Sequence, residues 1–157
     1  MKKTAVFVDV QNIYYTTKQQ FGGQFNYRGF WEKLSNEGEI VIANAYAIAR
    51  DDDGQKRFQT ALRSIGFTVK LKPFIQRKDG SAKGDWDVGI TLDIVDAAKE
   101  VDVVVLLSGD GDFSLLFDKI RKDSKVKTHV YGVLALTAQA LIKSSNRFTE
   151  IDQQYLL

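Results

Sequence analysis

Five stretches of the chain are β-branched or continuously apolar, a pattern typical of strands that are covered on both faces. Six segments with helical periodicity alternate with them, so the pattern predicts a parallel sheet with helices on both faces. The predicted strands are Thr4–Val10, Ile40–Ala49, Phe67–Pro73, Val101–Leu107 and Lys127–Tyr131. The predicted helices are Gln11–Gln20, Tyr27–Asn36, Gly54–Ile65, Asp87–Lys99, Phe113–Lys122 and Ala135–Lys143. With 157 residues, we expect one domain over 1–157.

Acidic residues stand where two of these strands end. Asp9 interrupts the apolar run "VFVDVQN", where an unpaired carboxylate is costly to bury, and Asp110 and Asp112 follow the fourth strand in "SGDGDF". Open parallel sheets bind ligands beyond the carboxyl ends of their strands, where the strand order reverses. If the first and fourth strands are neighbours there, the three carboxylates meet in one crevice. The alternative for each is a turn or helix cap.

The helix that begins at Asp87 supplies a further candidate. Spacing of 100° per residue aligns Asp87 with the apolar face of that helix, so we expect it to point inward. The alternative is an ordinary acid in a first helical turn, which the helix dipole favours. Asp93 and Asp96 project to the opposite side and are typical of solvated positions, while Asp85 either shares the role of Asp87 or caps the helix.

The four carboxylates of Asp9, Asp87, Asp110 and Asp112 indicate a cation site. Like charges in one crevice raise one another's pKa unless a cation neutralises them. All-oxygen ligands favour Mg²⁺ or Mn²⁺ over zinc. The chemistry implied is metal-assisted hydrolysis of a phosphodiester, with these four residues as metal ligands and catalytic residues.

Composition removes several other classes of site. The chain has no cysteine and one histidine, His129, so disulfides, thiolate zinc sites and cysteine nucleophiles are excluded. This cysteine usage suits the cytoplasm, where we expect the protein. No apolar stretch is long enough to cross a membrane, so we expect no membrane partner. "SGDGDF" lacks the third glycine of a dinucleotide-binding turn, and no P-loop motif occurs.

The net charge of +2 is too small to name a partner, but the basic residues are clustered. Residues 70–84 and 119–127 each hold five basic residues against one acid, and most of residues 76–84 read as an irregular loop. Lys83 is the cation best placed to meet a phosphate, and Asn12 either orients a ligand or caps a helix. Tyr14, Tyr15 and Trp86 lie close in sequence to the acids and are either core residues or base-stacking residues.

Three segments together resemble the signatures of NYN domains, specifically the LabA-like group within the PIN-like nuclease superfamily. They are "FVDVQN" (Phe7–Asn12), "KGDWDVGITLD" (Lys83–Asp93) and "SGDGDF" (Ser108–Phe113). The resemblance implies a three-layer α/β/α Rossmann-like PIN fold with a mostly parallel sheet of five or six strands, Mg²⁺ or Mn²⁺ bound by acids, and RNA cleavage. Family positions correspond to Asp9, Asn12, Asp87, Asp110 and Asp112, and Asp93 also matches one.

Three hypotheses follow for the function. The first is a metal-dependent endoribonuclease that acts on single-stranded RNA. The second is a non-catalytic RNA-binding or regulatory module that uses the same crevice. The third, ranked last, is a phosphatase with Asp9 as its nucleophile. A monomer and a homodimer are both compatible with the sequence.

Overall fold

A computed structural model describes residues 1–73, 75–76, 82–83 and 85–157, and the side chains of 1–72 and 85–157. The strands are β1 (Lys3–Asp9), β2 (Glu39–Ala49), β3 (Thr68–Pro73), β4 (Ile75–Gln76), β5 (Ala82–Lys83), β6 (Val103–Leu107), β7 (Lys127–Gly132) and β8 (Arg147–Glu150). The α-helices are α1 (Val10–Phe21), α2 (Tyr27–Glu37), α3 (Asp53–Ile65), α4 (Asp87–Ala97), α5 (Ser114–Asp123) and α6 (Gln139–Ser144). Short 3₁₀ turns span Gly111–Phe113, Leu134–Leu136 and Gln153–Tyr155.

Six strands form one parallel sheet in the order β3-β2-β1-β6-β7-β8. The predicted parallel sheet is therefore confirmed, with six strands. The chain winds outward from β1 through β2 to β3 and then returns to β6 on the other side of β1. The strand order thus reverses between β1 and β6, which are the first and fourth strands of the sequence prediction. Their carboxyl ends are at the same level, because Val8 pairs with Leu107.

Helices cover both faces of the sheet because residues alternate in the central strands. Val6 and Val8 point into one buried cluster, which is completed by apolar residues of α1, α2 and α3. Ala5 and Phe7 point into a second buried cluster, which is completed by residues of α4, α5 and α6. All four side chains are inaccessible to solvent. The result is the three-layer α/β/α arrangement that the resemblance implies.

Four elements differ from the pattern-based prediction. β8 was missed as a strand because Arg147–Glu150 is short and polar, as an edge strand with only partial burial can be. The last helix begins at Gln139 rather than Ala135, because the chain makes a 3₁₀ turn and then an extended step at Thr137. The antiparallel pair β4–β5 occupies both ends of the segment expected to be an irregular loop. Residues 77–81 and 84 of that segment lie outside the described residues.

Two expectations about individual features can be compared with the structure. His129 is a buried residue of β7, where its Nε2 lies 2.7 Å from the Thr149 hydroxyl, as expected for a structural histidine. Within the described part of the chain, no helix has both the length and the apolar character that a membrane span requires.

Candidate functional site

Acidic side chains from three elements converge beyond the carboxyl ends of the central strands β1 and β6, where the strand order reverses. Asp9 is the last residue of β1, and Asp110 lies three residues beyond the end of β6. Asp87 opens α4, which packs on the face that carries Phe7. The inward projection of Asp87 is confirmed, because Ile90 and Ile94 on its face of α4 are fully buried while Asp87 is half-buried.

Asp87, Asp110 and Asp112 form the tightest cluster, which we call the acidic triad. Each offers one carboxylate oxygen, and the three oxygens lie within 4.8 Å of one another. The backbone holds the two residues from "SGDGDF" in place, because the Asp110 carboxylate accepts a hydrogen bond of 2.9 Å from the Asp112 N–H and caps the 3₁₀ turn. The predicted site thus comes together for these three residues.

Asp9 lies beside the acidic triad rather than within it. Its carboxylate caps α1 by accepting from the Asn12 N–H at 3.4 Å, and it also accepts from the Ser108 hydroxyl at 3.1 Å. Burial raises the pKa of Asp9 to about 6, with a smaller contribution from the charges of Asp110 and Asp85, and the two hydrogen bonds oppose this shift. The negative charge of Asp9 is therefore unfavourable in the folded protein, and it interacts with the charges of the same site.

Asn12 does not cap its helix, because Asp9 has that position. Instead the Asn12 Oδ1 accepts a hydrogen bond of 2.9 Å from the Gly109 N–H and so ties α1 to the loop that carries Asp110. A side chain at Gly109 would not fit there, since a Cβ would lie 2.6 Å from the Leu136 carbonyl oxygen. The glycine therefore permits a close approach of two loops at the site.

Ser108 is a residue that the sequence prediction did not single out. Its side chain is fully buried, and its hydroxyl donates to Asp9 and accepts from the Asp110 N–H at 3.2 Å. Ser108 thus links the carboxylate after β1 with the backbone after β6. Its position between a buried strand and two acids was the available signal.

The donor set of the acidic triad fits a small divalent cation. Mg²⁺–oxygen distances of about 2.0–2.1 Å place two oxygens on one ion at most about 4 Å apart. The oxygens of the triad lie within 4.8 Å of one another, so small side-chain movements would bring them to ligand distance. Burial, a hydrogen bond to Asp110 and the charges of Asp110, Asp85 and Asp9 together raise the pKa of Asp87 to about 7, with burial as the largest cause. A proton on Asp87 therefore offsets part of the repulsion that a cation would relieve.

A lysine of β3 lies close to the start of α4, where Asp87 stands. Lys72 donates to the Asp85 carbonyl at 2.9 Å, and its Nζ lies 4.7 Å from the centre of the Trp86 ring. Trp86 is anchored by its Nε1, which donates to the Ala47 carbonyl, so it is a packed residue. Asp85 is exposed and lies outside the triad. The Lys83 side chain lies outside the described residues.

Asp93 corrects the expectation of a solvated position. It is half-buried and accepts hydrogen bonds of 2.7 Å from both the Tyr46 hydroxyl and the Lys70 ammonium group. The projection away from the triad is right, since among the described residues Asp93 is not part of that cluster. Its two partners belong to β2 and β3, so Asp93 contacts the sheet rather than lying fully in water. Asp96 is exposed as expected.

Two other groups of residues differ from their expected surroundings. The basic segment 119–127 runs from α5 to the start of β7. There Lys127 pairs with Val103, at the amino ends of the strands and opposite the acids. This segment therefore lies away from the triad. Tyr14 and Tyr15 are not core residues, since 46% and 53% of their surfaces are exposed.

Comparisons with known proteins agree with this fold. The chain is 29% identical over 160 residues to the low amplitude and bright protein LabA of Synechococcus elongatus, covering 96% of this chain and 84% of LabA. A crystal structure of a protein of unknown function from Vibrio parahaemolyticus has 52% sequence identity and a TM-score of 0.95, covering 99% of this chain and 96% of that one. The family model of the NYN domain matches residues 3–152. Since this match spans nearly the whole chain, the protein belongs to the NYN domain family.

Proposed function

We propose that the protein is a metal-dependent endoribonuclease that hydrolyses phosphodiester bonds of single-stranded RNA. The main support for this proposal is that three carboxylate oxygens, from Asp87, Asp110 and Asp112, lie close together. They lie beyond the carboxyl ends of β1 and β6, where the strand order reverses. Membership of the NYN family supports RNA as the substrate class.

The acidic triad would hold Mg²⁺ or Mn²⁺, with Asp9 as a fourth carboxylate of the same site. When bound, such an ion polarises a phosphate oxygen and lowers the pKa of an attacking water. Asp9 acts by keeping the site strongly negative and by fixing the start of α1, because its oxygens bind Ser108 and the Asn12 backbone.

Asn12 and two lysines would contact the substrate. The Asn12 Oδ1 is used by the Gly109 N–H, which leaves the amide NH₂ to donate to a phosphate or a water. Lys72 and Lys83 supply positive charge for the RNA backbone, and such contacts position the strand without reading its sequence.

Cleavage of labelled RNA by the purified protein tests this proposal. We expect single-stranded RNA to be cut with Mn²⁺ or Mg²⁺ and not with a chelator, and a hairpin RNA of the same composition to be cut more slowly. Because water is the attacking group, the products should carry no 2′,3′-cyclic phosphate, which separates this activity from that of contaminating metal-independent ribonucleases. Salt-sensitive RNA binding without cleavage under any divalent ion would instead identify a non-catalytic RNA-binding module.

The affinity for Mn²⁺ is expected to decrease as the pH is lowered from about 7. Burial and the neighbouring acids raise the pKa of Asp87 to about 7, so a cation must displace a proton at lower pH. The Kd for Mn²⁺ should therefore rise about fivefold between pH 7 and pH 6 and change little above pH 8. Calorimetric titrations in buffers of different ionisation enthalpy measure both the affinity and the proton released. A Kd that is constant from pH 6 to pH 8 would contradict this assignment.

A further inference from the structure

An exposed aromatic and cationic surface lies on α1, the helix that Asp9 caps and that Asn12 ties to the loop carrying Asp110. Tyr14 and Tyr15 expose 46% and 53% of their surfaces, and their rings meet edge to face with centroids 5.3 Å apart. The Nζ of Lys18 lies 3.4 Å from the Tyr14 hydroxyl and 5.5 Å from the Tyr14 ring centre. We call these three residues the tyrosine platform. Two adjacent exposed rings beside a cation present faces on which the bases of a nucleic acid can stack.

The position of the tyrosine platform relative to the site follows from helix geometry. Tyr15 stands three residues after Asn12, which places their Cβ atoms about 5–6 Å apart on one face of α1. Asn12 binds the Gly109 N–H, and Gly109 directly precedes Asp110. The Tyr15 ring is therefore within reach of a nucleotide next to a phosphate at the acidic triad.

The charge of α1 favours a polyanion over a protein surface of mixed charge. No acidic residue occurs between Val10 and Phe21, and Lys18 supplies a cation at the end of the platform that points away from the triad. Aromatic side chains flanked by a cation are the usual means by which single-stranded nucleic acids are held, because every base has a face that can stack. A base stacked on tyrosine also leaves its phosphate beside Lys18.

We propose that Tyr15 is a substrate-positioning residue that stacks a base of single-stranded RNA next to the scissile phosphate, with Tyr14 supporting its ring and Lys18 contacting the backbone. This proposal rests on the proposed function, because it specifies how the same site would hold single-stranded RNA. It explains why the site would select unpaired RNA: in a duplex the bases stack on one another and are not available to the tyrosine.

Equilibrium binding of a fluorescent single-stranded RNA tests the platform independently of cleavage. Binding is measured by anisotropy in the full chain carrying Asp110→Asn, so that no hydrolysis intervenes. In that background Tyr15→Ala and Tyr15→Leu should weaken binding roughly 5- to 150-fold, whereas Tyr15→Phe should bind like the parent. Gln20→Ala, an exposed change on the same helix, is the matched control and should have no effect. The melting temperature of each variant should equal that of the parent, because the side chain is exposed.

RNA strands with a single abasic position identify the stacked base. One abasic position should weaken binding to the parent about as much as Tyr15→Ala does, and should cost nothing further in that variant. Unchanged binding by Tyr15→Ala, or equal binding by the Leu and Phe variants, would contradict the proposal that Tyr15 stacks a base. If wild type still cleaved RNA with Mn²⁺, the proposed function would survive that result. Absence of RNA binding by the parent and absence of cleavage by wild type would overturn both.

Discussion

Asp110→Asn is expected to reduce Mn²⁺-dependent RNA cleavage by at least roughly 100-fold. The substitution removes one negative charge from the acidic triad and changes little else. An asparagine Oδ1 can still accept the hydrogen bond from the Asp112 N–H that now caps the 3₁₀ turn, so the loop keeps its shape. The lost activity would therefore report the loss of a charged metal ligand.

Initial rates of cleavage at several Mn²⁺ concentrations measure this effect. Asp118→Asn is the matched control, because it removes an exposed carboxylate from α5 and should leave the rate unchanged. If excess Mn²⁺ restores part of the lost rate, the defect is in metal affinity. Equal rates for wild type and Asp110→Asn would remove Asp110 from the site.

Asp9→Asn is expected to stabilise the metal-free protein at pH 8 while impairing cleavage. An acid whose pKa is raised on folding binds its proton more tightly in the folded state. Below about pH 4 Asp9 therefore does not reduce the free energy of unfolding. This free energy then decreases as the pH rises to about 6, the pKa of Asp9, because the folded protein has to bury a charge. The difference from the ordinary pKa corresponds to about 2–3 kcal/mol of unfolding free energy at pH 8. An asparagine has no such penalty, and it can still accept from the Asn12 N–H.

Thermal unfolding with a chelator present measures this gain. At pH 8 the melting temperature of Asp9→Asn should exceed that of wild type by about 5–10 °C, and the gain should vanish near pH 4. Saturating Mn²⁺ should stabilise wild type more than the variant, since a cation offsets the same repulsion. A lower melting temperature for Asp9→Asn at pH 8 would show that its carboxylate is favourable in the folded protein.

The central part of the fold was predictable from the sequence because each strand of the sheet core is covered on both faces. β1 and β6 read as apolar runs for this reason, and the helices between strands end at recognisable residues, such as α3 at Gly66 with its positive φ of 137°. The strand β8 was not predictable in this way. It is at the edge of the sheet, where pairing with β7 rather than burial determines its conformation.

The acidic triad was largely predictable because it depends on two patterns that the sequence shows. The end of β6 identifies Asp110 and Asp112, and the helical period identifies the inward direction of Asp87. The end of β1 likewise identifies Asp9 beside the triad. The roles of Ser108 and Asn12 were not predictable, since both depend on hydrogen bonds between the loops after different strands. The pairing of Asp93 with Tyr46 and Lys70 likewise requires knowing which strands pack beside α4.

A crystal soaked in Mn²⁺ tests the central claim most directly, because the anomalous scattering of manganese locates the ion without reference to activity. We expect an anomalous peak about 2.0–2.3 Å from one carboxylate oxygen each of Asp87, Asp110 and Asp112, and a much weaker peak in crystals of Asp110→Asn soaked in the same way. No peak at saturating Mn²⁺, or an equally strong peak in Asp110→Asn, would contradict the metal site.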